Sequence, residues 1–202
     1  MTALWAAGGA LAGVGAGVAL RGPVSRFTRV GWVFLLVSAV VVAALAARFA
    51  GSVEVLAFAT LGALGVALAF IDAAVERLPD VLTLPAYPIV VGLLAVAAVV
   101  SGRLDTLWRA LLGGLVLFVF YFALGAVRPG DLGGGDVKLA GVLGVGLAWL
   151  GWQSLALGAA LGFVLSAVVS LVLLAARRIT LRSQLPFGPF MLAGALVAVL
   201  LS

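Results

Sequence analysis

The chain has 202 residues, 65% hydrophobic and only 9% charged, with 12 Lys and Arg against 7 Asp and Glu and a net charge of +5. A soluble domain carries about a quarter charged residues, so this is the composition of a polytopic membrane protein with no room for a separate soluble domain. Cys and His are both absent, which excludes disulfides, thiol nucleophiles, Ser-His triads, HExxH zinc sites and any imidazole base; carboxylates are what remains for acid–base chemistry.

Apolar runs long enough to cross a bilayer are separated by charged or Pro/Gly breaks. They predict spans near 2–20, 30–47, 53–72, 83–100, 107–127, 137–150, 154–176 and 187–201. No basic residue precedes the first run and Arg21 follows it. A cleavable signal has the reverse order, so this run is expected to stay as a span. The sixth and eighth runs are short, and the break between the sixth and seventh rests only on Gly151, Trp152, Gln153 and Ser154. Small residues at Gly8, Gly9, Gly13, Gly15, Gly17, Gly62 and Gly65 fit close contact between helices. The expected fold class is all-α, a polytopic membrane bundle of about eight transmembrane helices forming one domain over residues 1–202.

Loop charge then orients the bundle. Alternate connections put Arg21, Arg26, Arg29, Arg77, Arg128, Lys138, Arg177, Arg178 and Arg182 on one side, and Arg48, Arg103 and Arg109 on the other. The positive-inside rule makes the first set cytoplasmic and leaves both termini outside. Because these cations are scattered between spans, they read as topology signals, and no nucleic-acid partner is expected. The same parity brings Asp72, Glu76, Asp80, Asp131 and Asp136 to the cytoplasmic face, with Glu54 and Asp105 outside. Acids contribute little to topology, so their clustering has another cause.

A carboxylate at the edge of hydrocarbon is costly and marks a functional position. Asp72 ends the third run, ahead of Leu78-Pro79-Asp80 and Leu82-Thr83-Leu84-Pro85. Pro79 and Pro85 are expected to form a turn and start the next helix. Asp80 reads either as a cap or turn residue or as a direct participant. Asp136 closes Gly133-Gly134-Gly135-Asp136-Val137-Lys138, where glycines permit positive φ and close backbone approach. The negative end of a helix at Asp72 and the positive end at Asp136 favour a neutral and an ionised carboxyl respectively, a division into acid and base. The same residues also fit a plain N-cap at Asp136 and a snorkelling interfacial acid at Asp72. A phosphate cradle is disfavoured: GxxxxGK[ST] is missing and an acid stands where phosphate would sit. Lys138, the sole lysine, reads as an interface anchor or as a contact to substrate or the aspartates.

Three blocks together resemble the type IV prepilin peptidases, intramembrane aspartic proteases of the GxGD class. They are Asp72 with Leu78-Pro79-Asp80, then Gly133-x-Gly135-Asp136-x-Lys138, then Pro186-Phe187-Gly188-Pro189 leading into the last span. The resemblance implies that Asp72 and Asp136 are the catalytic pair, facing the cytoplasm of a bacterial inner membrane. Gly133, Gly135, Lys138, Pro79, Asp80, Pro186, Phe187, Gly188 and Pro189 would support the site or the substrate. It further implies a prepilin or pseudopilin substrate, membrane lipid as surroundings, and no metal or cofactor. Pro186 and Pro189 around Gly188 are expected to make a rigid irregular segment. Bifunctional members carry a CxxC-bearing insert after the first span, associated with N-methylation. Here that connection is short and has no Cys, which resembles the peptidase-only form. The rival reading from another class is a small proton-coupled transporter with Asp72 and Asp136 as relay carboxylates.

Overall fold

A computed structural model describes residues 2–29, 31–127, 132–180, 183 and 185–202. Arg128, Asp131 and Arg182, which entered the charge argument above, lie outside the described residues. Eight helices make up the regular structure among the described residues, in the order α1 (Thr2–Ser25), α2 (Trp32–Arg48), α3 (Val55–Val75), α4 (Asp80–Ser101), α5 (Leu104–Val127), α6 (Gly134–Leu150), α7 (Trp152–Ala175) and α8 (Gly188–Leu201). This is the all-α bundle expected. By length and composition α1, α3, α4, α5 and α7 can cross a membrane, while α2 and α8 are apolar but shorter.

Two proline expectations are corrected. Pro85 does not start a helix; α4 begins at Asp80 and runs through both Pro85 and Pro88. Both prolines are exposed on the helix surface, and the turn is held instead from its start, where Thr83 Oγ1 donates to Pro79 O at 3.1 Å. Apolar packing around a membrane helix tolerates the missing N–H groups. The irregular part of the Pro186–Pro189 stretch likewise stops at Phe187, because Gly188 and Pro189 already belong to the first turn of α8, where the missing proline N–H loses no bond.

Helix α6 is the central column: 13 of its 17 residues are buried. It is only about 25 Å long at 1.5 Å per residue, and it packs against α4, α5, α7 and α8. Glycines let the backbones meet. A Cβ on Gly144 would lie 2.6 Å from Gly113 O of α5, and one on Gly194 of α8 would lie 2.5 Å from Gly162 N of α7. On α1, Gly9, Gly13 and Gly17 face α2 at this range, whereas Gly8 and Gly15 meet nothing, so only the four-residue repeat is used for packing.

The bundle has two distinct ends. At one, Arg109 donates to Ala148 O and Trp149 O at 2.8 and 2.7 Å, satisfying the last carbonyls of α6. Arg103 at the same end pairs with Glu54 at 3.1 Å and lies over the Trp149 ring, and Arg48 donates to Ser202 O. Thus the three arginines that the charge argument separates from the rest share one end. The turns there fall at Gly102, with φ 66°, and Gly151, with φ 155°. A side chain would be strained at either position, which lets α6 and α7 be joined by a single residue. The opposite end carries Asp72, Glu76, Asp80 and Asp136.

Candidate active site

Asp72 lies in the last turn of α3 and is 4% exposed. The helix ends at Glu76, whose left-handed backbone (φ 51°) returns its N–H to Asp72 O at 2.8 Å. Leu78 and Pro79 then lead directly into α4. Asp136 lies in the first turn of α6 and is 9% exposed. Its Oδ2 accepts from Gly133 N–H at 3.2 Å while its own N–H donates to Gly133 O at 3.0 Å, a reciprocal cap that fixes the side chain over the helix start. The two carboxyls are within electrostatic reach of each other.

The three blocks close on one another. Leu78, 8% exposed, packs on Gly135 so tightly that a Cβ there would lie 2.7 Å from Leu78 Cβ. The turn after Asp72 is thereby seated on the loop before Asp136. Gly188, at the start of α8, donates its N–H to Asp72 Oδ2 at 3.0 Å, and a Cβ on Gly188 would lie 2.7 Å from that oxygen. Gly133, Gly134 and Gly135 all have negative φ. The role of Gly135 is therefore closeness rather than the positive φ that the sequence allows. Lys138 Nζ donates to Asp80 Oδ1 at 2.6 Å, with side chains 35% and 57% exposed. Asp80 is therefore the first residue of α4 with a cross-helix partner and not a side-chain cap, and Lys138 ties α6 to α4 through Asp80 instead of bonding Asp72 or Asp136.

Neither carboxyl is hydrogen-bonded to a cation among the described residues; each accepts from a backbone N–H. Such a pair can take a proton from water on one member and give one to a carbonyl from the other. No group of three or more potential metal ligands occurs among the described residues.

Several neighbours have no motif to announce them. Tyr87 of α4 donates to Lys138 O at 2.7 Å. Tyr121 of α5, 1% exposed, lies within electrostatic reach of Asp136 and stacks against Phe163. These are the two tyrosines of the chain, and their rarity in so apolar a sequence was the available signal. Beside them a groove of about 700 Å³ opens between α4 and α5, lined among others by Leu84, Tyr87, Phe118, Val137 and Lys138.

The structure is thus an apolar helical bundle with two buried carboxyls at one end. The family itself is given by comparison: residues 58–176 match the profile of the type IV leader peptidase family, and the chain belongs to that family. Among curated proteins it is 34% identical to a "Prepilin leader peptidase/N-methyltransferase" of Pseudomonas putida over 156 residues, 76% of this chain and 52% of that protein. Proteins of the same description are 34% identical in Pseudomonas aeruginosa, over 66% of this chain and 45% of the relative, and 30% identical in Bacillus subtilis, over 82% and 63%. The chain thus spans about half the length of the first two relatives. No solved structure matches it. Family and apolar helices together make this a bacterial membrane protein.

Proposed function

We propose that the chain is an aspartic endopeptidase that removes the N-terminal leader of type IV prepilins or pseudopilins at the cytoplasmic membrane face, with Asp72 and Asp136 as its catalytic pair and residues 1–202 acting as one domain. The observation that carries this reading is convergence. Asp72, ahead of the Leu78–Asp80 turn, and Asp136, ending the glycine loop, come together at one end of the bundle, locked by Leu78 on Gly135 and by Gly188 N–H on Asp72. In the reaction one carboxylate takes a proton from water while its partner carboxyl donates to the scissile carbonyl, and neither step calls on a metal or an organic cofactor. Glu76 and Asp80, both exposed, give this face acidic groups that attract a basic leader. A proton relay would need carboxyls along a path across the bilayer, and a pair gathered at one end does not provide it.

The test is co-expression with a prepilin and mass spectrometry of the product. Wild type should remove the leader, while Asp72→Asn and Asp136→Asn should leave it full length at equal accumulation in the membrane. Because the connection between α1 and α2 holds no Cys, the 202-residue chain expressed by itself should leave the new amine unmethylated, without the added mass of about 14 Da per methyl group. Cleavage by either Asn variant would overturn the assignment.

A further inference from the structure

Three aromatic rings from three elements meet at the start of α8. Tyr121 of α5 stacks on Phe163 of α7, with centroids 5.5 Å apart and planes inclined by 17°. Phe187, the residue before α8, lies 5.2 Å from Phe163 and 6.1 Å from Tyr121. Phe120 closes the cluster edge-on against both Tyr121 and Phe163. Directly after Phe187 comes the Gly188 N–H that donates to Asp72 Oδ2.

This arrangement poses a problem of support. Asp72 takes its described side-chain hydrogen bond from a donor at the end of the long connection between α7 and α8. Phe187 O accepts from Phe190 N–H and Met191 N–H of α8, and among the described residues no hydrogen bond ties 185–187 to a helix other than α8. A donor improves catalysis only when it is held in place before the charge develops. Here the rings hold Phe187, and with it the start of α8, against α5 and α7. Phe187 sits against a Tyr121–Phe163 pair whose Tyr121 is 1% exposed and fixed in the core. Offset and tilted ring contacts of this kind have definite geometry.

We infer that Tyr121 and Phe163 are positioning residues which, through Phe187, clamp the Gly188 amide onto Asp72. This rests on Asp72 being catalytic. The contribution of Tyr121 is its ring: the phenol oxygen is not required by the clamp, although it lies within electrostatic reach of Asp136.

The test exploits the sequence. Phe187–Gly188 is the one Phe–Gly bond in the chain. With ¹³C-carbonyl phenylalanine and ¹⁵N-glycine, a carbonyl-filtered amide spectrum of the full chain in micelles contains one signal, that of Gly188. Asp72→Ala calibrates the signal of the unbonded amide. Tyr121→Leu and Phe163→Leu should move the signal toward that position and speed its exchange with water about tenfold, the effect of weakening one hydrogen bond to a carboxylate. In the cleavage assay the same variants should lower kcat about tenfold at unchanged KM, since the clamp acts on the chemical step. Tyr121→Phe should behave as wild type in both assays, as should Val119→Leu on the exposed side of α5. If Tyr121→Leu fails to accumulate, Phe163→Leu, whose ring is only partly buried, carries the test. Leu variants that leave the signal and kcat unchanged overturn the clamp, and so does a Tyr121→Phe as damaged as Tyr121→Leu. Absence of cleavage by wild type, with the signal behaving as described, would instead remove the proposed function and leave the clamp standing.

Discussion

The glycines before Asp136 look equivalent in sequence, but the structure separates them, and Gly135→Ala is the sharpest use of that difference. A Cβ on Gly135 would sit 2.7 Å from Leu78 Cβ and 3.4 Å from the Leu78 N and O. Carbon atoms rest at about 3.5–4.0 Å, so the two segments must part by roughly an ångström. The obstructing atom is a Cβ rooted in the backbone, which cannot swing away as a side-chain tip could. Overpacking of this kind costs about 1–3 kcal/mol, and the relief available is to lift the Leu78–Asp80 turn off the loop. That movement displaces Asp72 from Asp136, and a shift of about 1 Å in a reacting group lowers the rate about 100-fold. Gly134 is the control: a Cβ there meets nothing within 4 Å, and alanine is the better helix former by up to about 1 kcal/mol. Gly134→Ala should therefore keep activity within about twofold of wild type. Gly133→Ala should fall between them, because its Cβ would lie 3.3 Å from Asp136 Oδ2. The assay is leader cleavage in membranes at matched protein level. Equal activity of the Gly135 and Gly134 variants, or the reverse order, would refute the contact between Leu78 and Gly135 as the element that registers the two aspartates.

Three further outcomes are expected. The Lys138–Asp80 pair is short but its side chains are 35% and 57% exposed, so it contributes about 0–1 kcal/mol; Lys138→Ala or Asp80→Asn should lose no more than about fivefold in activity, and complete loss in either would place that residue in the chemistry. Arg109→Ala leaves Ala148 O and Trp149 O without their donor and should destabilise the protein by about 1–3 kcal/mol; an unchanged melting temperature in detergent would show that α6 does not depend on this cap. Single cysteines near residues 25 and 80 should be labelled from the cytoplasm and those near 50 and 104 from outside, on the nine-to-three division of basic residues; external labelling near 80 would put the site on the wrong face for a cytoplasmic leader.

The sequence by itself determined the eight apolar segments that become helices, the separation of Arg48, Arg103 and Arg109 to one end, and the identity of the three blocks. These are local properties: about 20 apolar residues are needed to cross hydrocarbon, and an acid at its edge is costly wherever the chain then goes. Helix ends were legible to within about three residues, except at α1, which runs past the expected end near 20 to Ser25; at α4 the helix passes through Pro85 instead of starting with it. Tertiary structure alone decided what the blocks do to one another. Leu78 on Gly135, Lys138 on Asp80 and Gly188 on Asp72 join residues far apart in sequence, and spacing along the chain does not encode such contacts. The same holds for which glycine meets a backbone and which meets open space, and for the rings of Tyr121, Phe163 and Phe187, which in an apolar sequence look like any other lipid-soluble side chain. Whether a ring faces lipid or a carboxyl depends on helix rotation within the bundle. That rotation is set by packing against neighbouring helices, with Gly113 on Gly144 and Gly162 on Gly194 among the points where backbones meet.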